Sequence, residues 1–340
     1  MRKLIILGNF SEGHVGAHLA KAAERKEGVI RLDSREMYGS GWMQKFFWHF
    51  FERKPLHIGR FSAQLQKLLD SEAPDSFLNV GLVPLPLEAL VRLRERHVST
   101  GIFLTDDPFN SAHRAVRVLK NIPQYDVVFT PRMSVVNDLR AAGARRVVYL
   151  PFAYDPDTHV SEKSTETVAT GTDVMFVGGA DPDRVPYIEA LTKAGVSVAL
   201  YGGFWDRYPS VAMNTRGIRK PSGLLDAARS TKIQVVLVRR ANRDGHVMRT
   251  FEAAAARSCL IVEDTDDHRH LFGRDYDKVC YFKSPEDLVE KVTFLKDRSA
   301  MRNEMSRRVF EHIVRGGAHS YADRLHEIML ALTTNDLANL

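Results

Sequence analysis

The chain has 340 residues, of which 44% are hydrophobic and 26% charged, with a formal net charge of +6. That composition excludes a disordered or fibrous chain, and the length exceeds one typical core, so two domains are expected. The apolar run Leu4 to Leu7 is too short for a signal-peptide core, and no apolar run approaches the roughly 20 residues of a membrane-spanning helix, which points to a cytoplasmic protein.

In chain order, Lys3 to Leu7 reads as a short buried strand, followed by a glycine-containing loop and a helix from about Val15 to Arg25. Val29 to Leu32 reads as a second strand. Gly41 to Lys54 is the most aromatic segment: Trp42, Phe46, Phe47, Phe50 and Phe51 recur at helical spacing, flanked by Lys45, Arg53 and Lys54. A core helix, a wall of an acceptor pocket and a helix lying on the inner face of a membrane all fit the stretch Trp42 to Lys54. Ser76 to Val80, Gly101 to Leu104, Val127 to Thr130 and Arg146 to Leu150 are further strand-like runs with helical segments between. Strands alternating with helices argue for a parallel sheet covered on both faces. Much of the positive excess lies in this half, at Arg92, Arg94, Arg96, Arg114, Arg117, Lys120, Arg140, Arg145 and Arg146. A basic balance favours anionic partners, although a solvated helix face accounts for any one of these arginines.

From Pro151 to Asp173 the chain is polar and rich in Thr and Ser, and reads as a linker. The alternation then restarts. Asp173 to Val177 is a strand ending in Gly178-Gly179, Pro186 to Ala194 a helix, and Val196 to Tyr201 a strand ending in Gly202-Gly203. Ile233 to Val238, Leu260 to Val262 and Val279 to Phe282 continue the sheet. The chain from about Pro285 is helical, with a periodic last helix near His319 to Leu332. Cys259 and Cys280 sit in apolar context without metal-ligand spacing and read as buried thiols in a reducing compartment. The fold expected is α/β, with two Rossmann-like halves. Ligands of open parallel sheets bind at the carboxyl ends of the strands. If the halves face each other, those ends line an interdomain cleft.

The most informative of those strand ends runs from Asn242 to Ala255. An acidic residue, seven intervening residues and a glutamate, Asp244 and Glu252, straddle a strand-to-helix turn. A helix start offers free N–H groups and the positive end of a dipole to an anion. His246 and Arg249 add donors, and Glu252 lies three residues beyond Arg249 on the same helix face. The set suits a nucleotide diphosphate, with Glu252 left to hold ribose hydroxyls; a capping aspartate and a surface Arg–Glu pair explain the same residues. Arg249 and Glu252 are both expected to be exposed, so their loss should barely change the melting temperature.

Several of these pieces resemble the CgeB-like (spore maturation protein) glycosyltransferases of the group-1 type, which have the GT-B fold. They are Leu150-Pro151-Phe152-Ala153 with Asp155-Pro156 and His159, Asp173 to Gly178, Leu200-Tyr201-Gly202, Asp244-Gly245-His246 with Met248 to Ala253, and His319-Ser320-Tyr321 with Arg324. The resemblance covers about residues 100 to 330. It implies an acceptor-side domain over 1–160, a nucleotide-sugar domain over 161–320 and a C-terminal helix over 321–340 packing back on the first domain. It also implies a nucleoside-diphosphate sugar as donor substrate, no permanently bound cofactor, no metal, and retention of configuration. Gly178, Gly179, Gly202, Arg249, Thr250 and Glu252 fall at its donor site. Arg184, Arg239, Arg240 and Arg243 are the candidates to neutralise the diphosphate. Asp244 stands where retaining relatives carry a glutamate, and Arg257-Ser258 replaces their glycine after the helix.

In the loop Gly8 to Gly16, glycines let a backbone approach a ligand closely, and His14 is placed to donate to a sugar or phosphate, or to face solvent. Asp106 and Asp107 end another strand, where one carboxylate contacts an acceptor or acts as a base, or caps the turn before Pro108. Catalytic candidates are therefore Asp244, His246, His14, Asp106 and Asp107. The acceptor expected is a glycan, a lipid-linked molecule or a small molecule. No G-x-S-x-G, H-E-x-x-H, P-loop or C-x-x-C motif is present, which argues against serine or zinc hydrolases and triphosphatases. A non-catalytic sugar-nucleotide binder and a glycosyltransferase acting on nucleic acid are the rival readings; nucleic acid is the less favoured partner.

Overall fold

A computed structural model describes residues 3–24, 28–38, 55–113, 115–161 and 172–334. The aromatic segment Gly41 to Lys54 lies outside the described residues, as do positions 162–171 of the expected linker. The chain divides into two compact units: one comprises Met1–Pro151, Ala241–Arg243 and Tyr321–Leu340, the other Phe152–Arg240 and Asp244–Ser320.

In the first unit the strands are β1 (Leu4–Gly8), β2 (Val29–Asp33), β3 (Ser76–Val80), β4 (Ser99–Phe103), β5 (Val127–Thr130) and β6 (Val147–Tyr149). Every pairing is parallel, in the order β2-β1-β3-β4-β5-β6, with Leu4 opposite both Val29 and Ser76. Parallel strands covered on both faces read as unbroken apolar runs, and Leu-Ile-Ile-Leu-Gly of β1 is buried throughout. The covering helices are α1 (Val15–Glu24), α2 (Ile58–Glu72), α3 (Leu87–Glu95), α4 (Val116–Asn121) and α5 (Val136–Ala141). The chain runs outward from β1 to β2, then returns to β3 on the other side, so the strand order reverses between β1 and β3.

The second unit holds α6 (Pro156–His159), β7 (Thr172–Val177), α7 (Val185–Lys193), β8 (Val198–Tyr201), α8 (Pro209–Ala212), α9 (Pro221–Arg229), β9 (Thr231–Val236), α10 (Met248–Ala255), β10 (Leu260–Glu263), α11 (Asp266–Phe272), β11 (Cys280–Phe282), α12 (Pro285–Lys296) and α13 (Ser299–Phe310). Its sheet is again parallel, in the order β11-β10-β9-β7-β8, and reverses between β7 and β9. Just past the edge strand β8, Trp205 is fully buried, edge-on to Phe176 at 5.7 Å, and its indole N–H donates to Gly178 O over 2.9 Å.

α14 (Tyr321–Thr333) belongs to the first unit. Tyr321 stacks on His18 of α1 with ring centroids 5.0 Å apart. Arg324 donates from Nε to Pro151 O over 2.9 Å, and Arg146 donates to Ala331 O at the helix end, where a cation offsets the negative pole of the dipole. The stretch expected as plain linker contains α6, whose cap Asp155 accepts from Asp157 N at 3.1 Å. Four residues are too few to show a helical period. Cys259 and Cys280 are buried free thiols, and burial pushes Cys259 up to about 12.

Candidate functional site

A reversal of strand order leaves a crevice at the strand ends, and in the second unit the loops after β7 and β9 border it. Gly178 N donates to Tyr201 O over 2.8 Å. Gly202, at φ +150°, leaves no alternative to glycine, because an added Cβ would stand 2.1 Å from Gly178 O. Arg184, only 6% exposed, donates from Nη1 to Gly179 O (3.1 Å) and from Nη2 to Leu237 O (3.2 Å). Its guanidinium thus ties the two loops together. Burial lowers its pKa from the ordinary value, with Asp181 opposing. With Nη1 and Nη2 on carbonyls and Nε 3.4 Å from the Asp181 carboxylate, Arg184 braces the crevice, so its expected role as the cation over a diphosphate does not fit.

The start of α10 is held by a chain of hydrogen bonds that spacing in the sequence does not reveal. Val247 N donates to the Thr250 hydroxyl over 3.2 Å. The imidazole of His268 lies 3.0 Å from that hydroxyl at Nε2 and 2.7 Å from Glu263 O at Nδ1. A carbonyl only accepts, so Nδ1 carries the proton and Nε2 accepts from Thr250. His268 is fully buried and its pKa is pushed down by that burial to about 4. Glu263, at the end of β10, accepts from Val238 N (3.1 Å) and from Arg240 (2.6 Å). Burial raises its pKa, with Arg240 opposing.

His246 is also placed otherwise than the sequence suggested. It is 2% exposed, its Nε2 accepts from Phe152 N at 3.2 Å, and its Nδ1 lies 3.2 Å from Asp267. An accepting Nε2 makes it the neutral Nδ1–H tautomer. Both nitrogens are committed, so His246 positions the turn and does not donate to a phosphate. Gly245 follows from the same contact, since a Cβ there would lie 2.3 Å from the Asp267 carboxyl carbon. Asp244 is half-buried before it, with its N–H on Arg239 O at 3.2 Å.

Glu252 is buried, at 5% exposure, which corrects the expectation of a cleft-exposed side chain. It pairs with Arg249, whose side chain keeps 31% exposure, and lies 3.9 Å from His159 Nε2. Arg249, Glu252 and His159 line a cavity of about 30 Å³ with Pro221 and Leu224 of α9.

The remaining arginines separate cleanly. Arg240 is spent on Glu263 and the Tyr187 hydroxyl. Arg243, in the first unit, forks onto Asp107 (2.7 and 3.1 Å) and reaches Asp138 (2.6 Å), so it is not the cation of a diphosphate site in this geometry. The side chain of Arg239 has no hydrogen bond or ion pair among the described residues. It stands close enough to Arg184 to lower that group's pKa.

Of the two adjacent carboxylates, Asp107 is 1% exposed and bound by Arg243, which removes it as an acceptor contact or base. Asp106 keeps 40% of its side chain exposed, accepts from Asn242 at 2.9 Å and lies 3.9 Å from His113. His14 is exposed, with Asn9 at 3.3 Å. Partial burial and then Arg35 lower its pKa, with Asp106 opposing. Among the described residues no group of three or more His, Cys, Asp or Glu is placed to hold a metal, and no helix is long and apolar enough to cross a membrane.

Sequence reasoning thus missed His268, Glu263 and Asp267, and named His159 as a matching piece without giving it a place at the site. They lie outside the Asn242–Ala255 block, and only the fold brings them to it.

Residues 184–330 match the family model described as glycosyl transferase-like. No curated protein matches the chain. Among solved structures, S. aureus TarM superimposes with a TM-score of 0.58 at 12% identity, covering 81% of this chain and 58% of that one. This chain therefore spans less than two thirds of TarM. Sucrose-phosphate synthase from Thermosynechococcus elongatus gives 0.68 at 10% identity, over 97% of this chain and 98% of that one. Anabaena HepE, solved with UDP and glucose, gives 0.68 at 10% identity, over 98% and 100%. At such identities the likeness establishes the fold, which is GT-B, with two parallel Rossmann-like sheets.

Proposed function

We propose that the chain is a glycosyltransferase of the CgeB-like kind, moving a sugar from a nucleoside-diphosphate sugar to an acceptor hydroxyl with retention of configuration. The observation that carries the reading is the braced start of α10 beside the β7/β9 reversal, within the region that matches the glycosyl transferase-like family. The crystal complex of HepE with UDP and glucose supports a uridine nucleotide among the donors to try first.

In this reading the diphosphate rests against the N-terminus of α10. Its charge is met by the helix end, by Arg249 and by Arg239, whose side chain has no hydrogen bond or ion pair among the described residues. Arg184, His246, Thr250 and His268 act behind these groups as positioning residues. A rigid array of donors needs little reorganisation as charge builds on the leaving group. Glu252, oriented by Arg249, holds the ribose. The first unit, which ends at Pro151 rather than at residue 160 before the chain enters the second, supplies the acceptor side, where Asp106 and His14 are the groups available to an acceptor hydroxyl.

The test is titration of the purified protein with UDP, GDP, dTDP and CMP sugars, followed by unfolding. A bound donor raises the midpoint by mass action. Arg239→Ala should cost binding roughly ten-fold, the scale of one charged hydrogen bond, while leaving the unliganded midpoint in place. If no donor shifts the midpoint, or if Arg239→Ala binds as the parent does, the site assignment is wrong.

A further inference from the structure

Phe204 follows the Gly202–Gly203 turn at the end of β8 and precedes the short turn Trp205–Arg207. Its backbone is left-handed, at φ 71° and ψ 4°, a region that disfavours a bulky side chain. The core gives no reason for a phenyl ring there: the residue is 56% exposed, while its neighbour Trp205 is wholly buried. Strain that persists at an exposed aromatic beside a ligand crevice points to use rather than to folding.

The surroundings of the ring say what it would receive. The Arg207 guanidinium lies 4.4 Å from the ring centroid. The ring edge stands beside Gly179, the bare turn after β7, where an added Cβ would meet only Gly203 O at 3.6 Å and the Phe204 ring at 3.9 Å. Gly202 N donates to Gly217 O over 3.1 Å, which brings in Ile218, 82% exposed. Three residues later α9 begins at Pro221, which shares a cavity with Glu252 and Arg249. Within one unit, the segment 217–221 thus links the turn that carries Phe204 to the cavity that holds Glu252 and Arg249.

We infer that the ring of Phe204 is the platform on which the heterocyclic base of the nucleotide stacks, with Arg207 beneath it. The inference rests on the donor-site reading of the β7/β9 crevice. Aromatic stacking tolerates any base but weights them differently, so this residue sets how strongly the base contributes to donor choice.

Calorimetric titration of the parent, Phe204→Gly and Phe204→Trp with UDP, GDP, ADP and inorganic pyrophosphate tests it. Phe204→Gly should bind the parent's preferred nucleotide at least ten-fold more weakly, the scale of one lost stack, and should discriminate less among the three. Pyrophosphate should bind it as it binds the parent. Its unfolding midpoint should stay level or rise, because glycine adopts positive φ without strain. Phe204→Trp should return nucleotide affinity to within about three-fold of the parent, as its indole offers an equivalent stacking face. Unchanged nucleotide binding by Phe204→Gly, or an equal loss for pyrophosphate, overturns the inference and leaves the donor site standing. A parent that binds none of the three nucleotides overturns both.

Discussion

The hydroxyl of Thr250 donates to Nε2 of His268 across 3.0 Å, tying the first turn of α10 to α11. The bond requires a neutral imidazole, because a protonated ring has no acceptor. Burial supplies that condition by holding the pKa of His268 at about 4.

Stability should therefore depend on pH in a stated direction. The unfolded chain binds a proton at His268 near its ordinary 6.5, and the folded chain only near 4. Between those values the unfolded state holds more protons, so acidification favours unfolding. The contribution is complete above about pH 6.5 and is lost as pH falls toward 4. Denaturant unfolding at pH 7 and pH 5 should show a loss of about 2 kcal/mol from this group. His268→Gln should flatten that part of the profile; an equally steep profile in the variant refutes the assignment.

Glu252→Ala should lower stability as well as nucleotide binding. The carboxylate is buried against Arg249, which retains partial exposure and so can recover some solvation. A loss of about 1–3 kcal/mol is expected. Arg249→Ala leaves the carboxylate without its charge partner, and the double variant should cost less than the sum of the singles. Additive effects in the cycle would mean that the two side chains do not interact.

Gly202→Ala should be among the most damaging of single substitutions. The methyl would meet the backbone oxygen of Gly178, which no rotamer change relieves, at a φ that alanine avoids. Stability should fall by more than about 2 kcal/mol. Gly203→Ala, with nothing within 4 Å of its added Cβ, is the control and should unfold like the parent.

Asp106 and Asp107, adjacent in sequence, should separate by experiment. Asp107→Asn weakens the fork to Arg243 and should lower stability by about 1–3 kcal/mol. Asp106→Asn should leave the unfolding midpoint nearly unchanged and lower kcat for sugar transfer. The reverse pattern would return Asp107 to the candidate catalytic group.

Where apolar runs are bounded by turn residues, the sequence alone is a good guide. Ser76–Val80 and Val127–Thr130 are strands at the expected positions, and the glycine pairs at 178–179 and 202–203 do stand at strand ends. β9 begins two residues earlier than its apolar run, because Thr231 pairs with Thr172 while Leu237 and Val238 leave the sheet still buried. The site was less legible. Spacing places His246, Arg249 and Glu252 around one turn, yet it does not say which of them points inward. That depends on Asp267, His268 and Phe152, distant in sequence and brought close by packing. Arg184, Arg239, Arg240 and Arg243 look alike as letters. Only their partners single out Arg239.

The stacking of Tyr321 on His18 has a consequence for synthesis. The second unit lies within a stretch that leaves the ribosome before α14 does. It can reach its native contacts while the first unit still lacks a helix against α1. The earliest part of the polypeptide thus receives one of its covering helices late, and its α1 surface stays without that cover until α14 has been made.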